Sequence, residues 1–116
     1  MLPEVTPTQA QAHLADGALL LDVRELNEWE AARVEGALHI PLGELPKRFR
    51  ELPAGRAIIC ICHSGARSGK AQRFLLSAIN KQAVYNLTGG ILRWSSEGLP
   101  LRGFATRSSR NGGRPV

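Results

Sequence analysis

Apolar and polar residues alternate along this chain in blocks, and the blocks change period. ALLLDV (residues 18–23) and AIICIC (57–62) are short continuous apolar runs, the pattern of strands buried on both faces. ALHIP (37–41) and AVYNL (83–87) read as two further strands, the first closed by Pro41. Between them the period lengthens. Thr6-Pro7-Thr8-Gln9 predicts a helix start, with Thr6 as cap, Pro7 in the first position and Gln9 as capping-box partner, and a stop near Gly17. ELNEWEAARVEG predicts a second helix, capped by Asn27 and stopped by Gly36. GELPKRFRELPAG is polar and broken by prolines, with room for one helical turn. After the most apolar run, Ala71, Phe74, Leu75, Ala78 and Ile79 fall on one helical face. TGGILRWSSEG closes the pattern as a short helix between Thr88 and Gly98. Strands alternating with helices predict an α/β fold: a central, mainly parallel sheet of about five strands, with helices on both faces.

Length and charge narrow the picture. A chain of 116 residues holds one core, and 43% apolar with 22% charged residues is ordinary for a globular protein. The net charge of +5 is unevenly spread. Four arginines and no acids lie in residues 102–116, so the rest is near +1. The reading is one domain over residues 1–101 and a basic, disordered tail over 102–116. A nucleic-acid surface needs its charge on the folded part, and none is expected. No run reaches the roughly 20 apolar residues of a membrane span. MLPEVTPTQ lacks a signal-peptide pattern, so the expected location is the cytoplasm, without membrane attachment.

The chemistry gathers in CHSGARS, residues 62–68. In parallel sheets, ligands bind beyond the carboxyl ends of the strands, and Cys62 stands at such an end. His63, Ser64, Gly65, Ala66, Arg67 and Ser68 then lead into a helix whose first amides have no partner of their own. A loop curled around the sulfur would aim those amides at it, and with the helix dipole would favour an exposed thiolate. Gly65 supplies the freedom for the curl. Each residue also has a plainer reading. Cys62 could be an inert buried thiol, although its place at a strand-to-helix switch speaks for a nucleophile. Cys60 reads as core packing. His63 could assist an anion or merely face solvent. Arg67 could contact the ligand or tie the loop to an acid of the body, and the tie is favoured. Asp22 and Arg24 read as a salt bridge supporting neighbouring loops, with substrate contact second. Trp29 and Trp94 read as packing. Cys60, Cys62 and His63 lack the second ligand pair of a structural zinc site, so no metal is expected.

CHSGARS resembles the active-site pattern C-x-x-G-x-R-S of the rhodanese-like sulfurtransferases. VTPTQAQAHLADGALLLDVRELNEWEAARVEGALHIPL is similar to that family's N-terminal half, and LTGGILRWSSEGLPL to its C-terminal signature. The likeness runs from about residue 4 to residue 101 and departs at Arg33, where the family commonly has histidine, and at His39, where asparagine is frequent. The resemblance implies a rhodanese-like fold and Cys62 as catalytic nucleophile. Sulfane sulfur would pass from a donor such as thiosulfate, through a persulfide, to cyanide or a thiol. Residues 63–68 would bind the substrate, and no cofactor is implied. The implied partners are a small sulfur-containing anion and a thiophilic acceptor, with a protein donor or acceptor as a variant. Cysteine-dependent phosphatases place five residues between cysteine and arginine; here there are four, a cradle sized for one sulfur. A non-catalytic binding module and a persulfide relay are the alternative functions.

Overall fold

The computed structural model describes residues 2–79 and 82–103. The elements run β1 (Glu4–Val5), α1 (Pro7–Ala15), β2 (Leu19–Asp22), α2 (Leu26–Ala31), β3 (Leu38–His39), α3 (Leu45–Arg48), β4 (Ile58–Ile61), α4 (Ala66–Ala78), β5 (Val84–Leu87) and α5 (Gly90–Ser96). Short 3₁₀ turns at Leu42–Glu44 and Phe49–Glu51 flank α3. The predicted single turn is therefore a longer helical run.

All strand pairs are parallel, in the order β1-β5-β4-β2-β3. This matches the expected α/β sheet, and β4 is its centre. The chain winds outward from β2 to β3, then returns to β4 and winds the other way to β5. The carboxyl end of β4 is thus the point where strand order reverses. Alternation along β4 sends its side chains to two cores. Ile58, Cys60 and Cys62 join Leu21, Val23, Leu45, Ala71 and Leu75 on one face. Ile59 and Ile61 join Ala10, Leu20, Val34, Ile91 and Trp94 on the other. Helices α3 and α4 cover the first face; α1 and α5 cover the second.

Several local expectations hold for local reasons. Thr6 Oγ1 accepts from the Gln9 amide at 3.2 Å, and Gln9 Oε1 accepts from the Thr6 amide at 2.9 Å, the reciprocal cap the residues predict. Four details differ. β1 has two residues, too few to show a pattern, and exists because it pairs with β5 (Glu4 opposite Asn86, Val5 opposite Leu87). Helix α2 is capped by Glu25 rather than Asn27: the Glu25 amide donates to Glu28 Oε1 at 2.9 Å. It also stops at Ala31, well before Gly36, because Ala32 is extended (φ −164°, ψ 145°) and the guanidinium of Arg24 takes its carbonyl at 2.7 Å. Ala78, expected on the core face of α4, is exposed. Polar Ser68 and Gln72 are buried there instead, Gln72 donating to the carbonyls of Pro3 (2.6 Å) and Val84 (3.0 Å). A buried amide is tolerated when such partners exist.

Arg102, where the charge pattern suggests the tail begins, forms an antiparallel bridge with Arg33 (2.7 and 2.6 Å between main-chain atoms), and its guanidinium meets Glu35 at 3.1 Å. The tail beyond Gly103 lies outside the described residues.

Candidate active site

Cys62 directly follows the central strand, and the loop behind it is held from below. The carbonyls of Cys62 and His63 accept from the amides of Ile91 (2.8 Å) and Leu92 (3.1 Å) in the first turn of α5. Two carbonyls are thereby turned away from the sulfur, leaving the loop amides to face it. The close approach depends on Gly90. It has φ +61°, and a Cβ there would lie 2.4 Å from the His63 oxygen and 2.6 Å from the Cys62 oxygen. Gly65 has φ +116° at the start of α4, the left-handed turn that closes the curl.

The sulfur collects donors. The amide of Gly65 stands 3.1 Å from Cys62 Sγ, and Ser68 Oγ stands 3.3 Å from it. Helix α4 also brings its free first amides and its dipole to this end. Burial pushes the Cys62 thiol up, but the Ser68 hydroxyl and the amides of Ser68, Gly65 and Ser64 outweigh it, and the net shift is downward. Cys60, two residues back in the same core, has no such donors; burial, and then the charge on Cys62, push it up to about 12.

One expectation about the sulfur needs correction. The sequence suggests an exposed thiolate, yet Cys62 keeps only 1% of its surface. The reason is the loop itself, which wraps closely enough to hydrogen-bond the sulfur and so covers it. The covering layer is thin: His63, Ser64 and Ala66 are exposed, and Gly65 is half-buried.

The remaining predicted residues fall into two groups. Arg67 is a tie: its guanidinium grips both carboxylate oxygens of Glu28 in α2, at 2.7 and 2.9 Å. The Glu28 carboxyl is held down to about 2 by that pair, against the opposing effect of burial. Asp22 and Arg24 form a buried ion pair at the end of β2 (2.8 to 3.1 Å over three contacts), and Arg24 also holds the carbonyls of Glu28 and Ala32. Two linked pairs therefore brace the loop: Asp22–Arg24 fixes α2, and α2 fixes Arg67. His63 is brought to the rim but has no side-chain partner among the described residues. The two family departures sit together elsewhere. His39 Nε2 meets the Arg24 carbonyl at 2.7 Å and stacks on Trp29, whose ring also carries Arg33. Trp94 is core, its indole donating to the Pro100 carbonyl at 2.9 Å.

Sequence reasoning missed Glu28 and Asn86. Glu28 is 39 residues from Arg67, and only the acid-rich first turn of α2 hints at it. Asn86 lies inside β5 yet is buried beside Ser68, and a polar residue within an apolar run was the available signal. Among the described residues, no three His, Cys, Asp or Glu side chains gather as a metal site would require.

Comparison with known proteins agrees with the geometry. The profile described as "Rhodanese-like domain" matches residues 6–97. A protein of Allochromatium vinosum named "Sulfurtransferase" is 35% identical over 103 residues, covering 87% of this chain and 95% of that one. YrkF of Bacillus subtilis, named as a proposed sulfur carrier protein, is 42% identical over 78 residues, covering 67% of this chain; the match spans 42% of its own length. Among solved structures, the thiosulfate sulfurtransferase of Pseudomonas aeruginosa superposes with a TM-score of 0.80 at 27% identity, over 88% of this chain and 20% of that one.

Proposed function

The chain belongs to the rhodanese-like domain family, and on that premise we propose that it is a sulfurtransferase carrying sulfane sulfur on Cys62. The Cys62 thiolate attacks the outer sulfur of thiosulfate. The S–S bond of the donor breaks, sulfite leaves with the electron pair, and a persulfide remains on Cys62. A thiophilic acceptor, cyanide or a thiol, then takes the outer sulfur and returns the thiolate. Sulfite is a good leaving group, so the site has no need of a general acid. What it must supply is stabilisation of negative charge on sulfur, first on Cys62 and then on the terminal atom of the persulfide.

The observation that carries this reading is the convergence on Cys62 Sγ of the Gly65 amide at 3.1 Å and the Ser68 hydroxyl at 3.3 Å. A binding loop makes no demand for such donors around a thiol. Cover over the sulfur does not oppose it, since the donor has to displace a thin layer of exposed loop and not the core. Asp22, Arg24, Arg67 and Glu28 act as supports, leaving His63 and Ser64 as the polar side chains at the mouth.

A protein-borne donor has one observation in its favour. Leu26 and Leu92 are 56% and 53% exposed, at the starts of α2 and α5, the helices that follow the two neighbours of β4. They give the rim around the cysteine loop an apolar component that a small anion does not use.

The test is the intact mass of the protein after thiosulfate treatment, beside Cys62→Ala. The expected gain is one sulfur atom, absent in the variant and removed by cyanide. A gain only from a persulfidated protein would assign the relay, and no gain from either donor would leave a binding module.

A further inference from the structure

Ser68 has one hydroxyl proton and two acceptors within reach. Its Oγ stands 2.6 Å from Asn86 Oδ1 and 3.3 Å from Cys62 Sγ. A hydroxyl donates one proton at a time. The shorter contact is the one to Asn86, and that amide cannot turn over freely. Asn86 Nδ2 donates to the Gly65 carbonyl at 3.1 Å, and a carbonyl only accepts, so the amide oxygen must face Ser68. Ser68 is fully buried and Asn86 is 8% exposed, so competing water is scarce around the trio. The Gly65 carbonyl has a second donor, the Gly69 amide at 3.1 Å, so the start of α4 does not depend on Asn86.

We propose that Asn86 is a positioning residue for the sulfur of Cys62: its side-chain oxygen takes the Ser68 hydroxyl proton while the sulfur is uncharged, and yields that proton to the sulfur when the sulfur becomes an anion. No covalent bond changes in this exchange. The thiol proton leaves to solvent, Ser68 keeps its own proton, and the hydroxyl turns about its C–O bond. Asn86 thus opposes ionisation of Cys62, because the thiolate gains a donor only as a buried amide oxygen loses one. The hydroxyl becomes a two-position switch set by the charge on sulfur. The proposal rests on Cys62 as the sulfur-carrying residue, and assigns Asn86 a role in setting its charge.

The charged groups around the thiol stand outside this exchange. Arg67 on α4 is held by Glu28 of α2, Asp22 and Arg24 on β2 hold each other, and Arg93 on α5 is held by Glu97. Cys60 lies on β4 and His63 in the loop. None of them hydrogen-bonds Ser68 Oγ or Cys62 Sγ.

The test is a double-mutant cycle over Ser68→Ala and Asn86→Ala, reading the rate of Cys62 alkylation by iodoacetamide against pH, with no sulfur donor present. In the Ser68 background, Asn86→Ala frees the hydroxyl for the sulfur. The pH midpoint falls, and alkylation one pH unit below the wild-type midpoint is about two- to sixfold faster, the equivalent of one hydrogen bond. In the Ser68→Ala background the same substitution leaves the midpoint where it was. Asn86→Val, suited to a buried parallel strand, repeats the pattern should the alanine variant fail to fold. A midpoint that rises or stays unchanged on removing Asn86 overturns the proposal, as does an equal shift in both backgrounds. The assay needs no sulfur transfer, so its outcome is separate from that of the thiosulfate experiment: a protein that takes up no sulfur would still return or refuse this pattern.

Discussion

The Ile91 amide donates to the Cys62 carbonyl at 2.8 Å, so the helix after the last strand holds the backbone of the cysteine at the end of the central one. This single bond joins the two signature stretches of the chain, CHSGARS and TGGILRW. It explains why the second contains a glycine at 90: the Leu92–His63 and Ile91–Cys62 contacts leave no space for a side chain between α5 and the loop.

Gly90→Ala is therefore expected to be costly twice over. A Cβ meets main-chain oxygens at 2.4 and 2.6 Å, and φ +61° strains any L side chain. A loss of about 2–4 kcal/mol follows, read as a lower denaturant midpoint, and sulfur uptake falls with it. By contrast Gly43→Ala, where no atom lies within 4 Å of the added Cβ, leaves both unchanged.

The two cysteines differ in their surroundings despite their proximity. Cys62 is shifted down by its donors, while Cys60 is pushed up to about 12. Near neutral pH, iodoacetamide is expected to label the native protein once. Peptide mapping should place the label on Cys62, and Cys60→Ala should leave its rate unchanged. Labelling that survives in Cys62→Ala would contradict the assignment.

The Arg67–Glu28 pair makes a share of the stability depend on acid. Glu28 is held down to about 2 in the folded chain against an ordinary 4.5, chiefly by its hydrogen bonds to Arg67. The contribution is fully present above pH 4.5 and is lost as pH falls toward 2. Glu28→Gln should flatten that limb of the stability-versus-pH curve and cost on the order of 1 kcal/mol at neutral pH, the half-buried setting discounting a larger figure. Sulfur uptake should slow, because Arg67 no longer anchors the loop.

Breaking the buried ion pair is the severest change away from the sulfur. Arg24→Ala strips the partner from Asp22, which is fully buried, and frees the carbonyls of Glu28 and Ala32. The expected loss is about 3–5 kcal/mol, seen as a sharply lowered melting temperature. Removing both partners together, as Asp22→Leu with Arg24→Leu, should cost less than Arg24→Ala alone, because no buried charge is then left without a partner.

What was legible in the chain was local. The reciprocal cap of Thr6 and Gln9 closes within one turn, so four consecutive residues determine it. The apolar run 57–62 places Cys62 at a strand end without help from the rest. The glycine and arginine of CHSGARS already mark a curled loop. In α2 local reading failed: Asn27 is a good cap by type, but the Glu25 amide pairs with Glu28 and starts the helix earlier, and Arg24 draws in the Glu28 and Ala32 carbonyls, which sets where that helix ends.

The alternation of strand and helix and the place of Cys62 at the end of an apolar strand were thus determined by the sequence alone, because both follow from residue type and spacing over a few positions. The tertiary structure decided which partners the loop would have: Glu28 for Arg67, Asn86 for Ser68, Ile91 for the Cys62 carbonyl. Each pair is separated by 18 to 39 residues or is joined through a parallel crossover. Hydrogen bonds of a few ångströms between such positions exist only once the sheet has brought the ends of β2, β4 and β5 side by side.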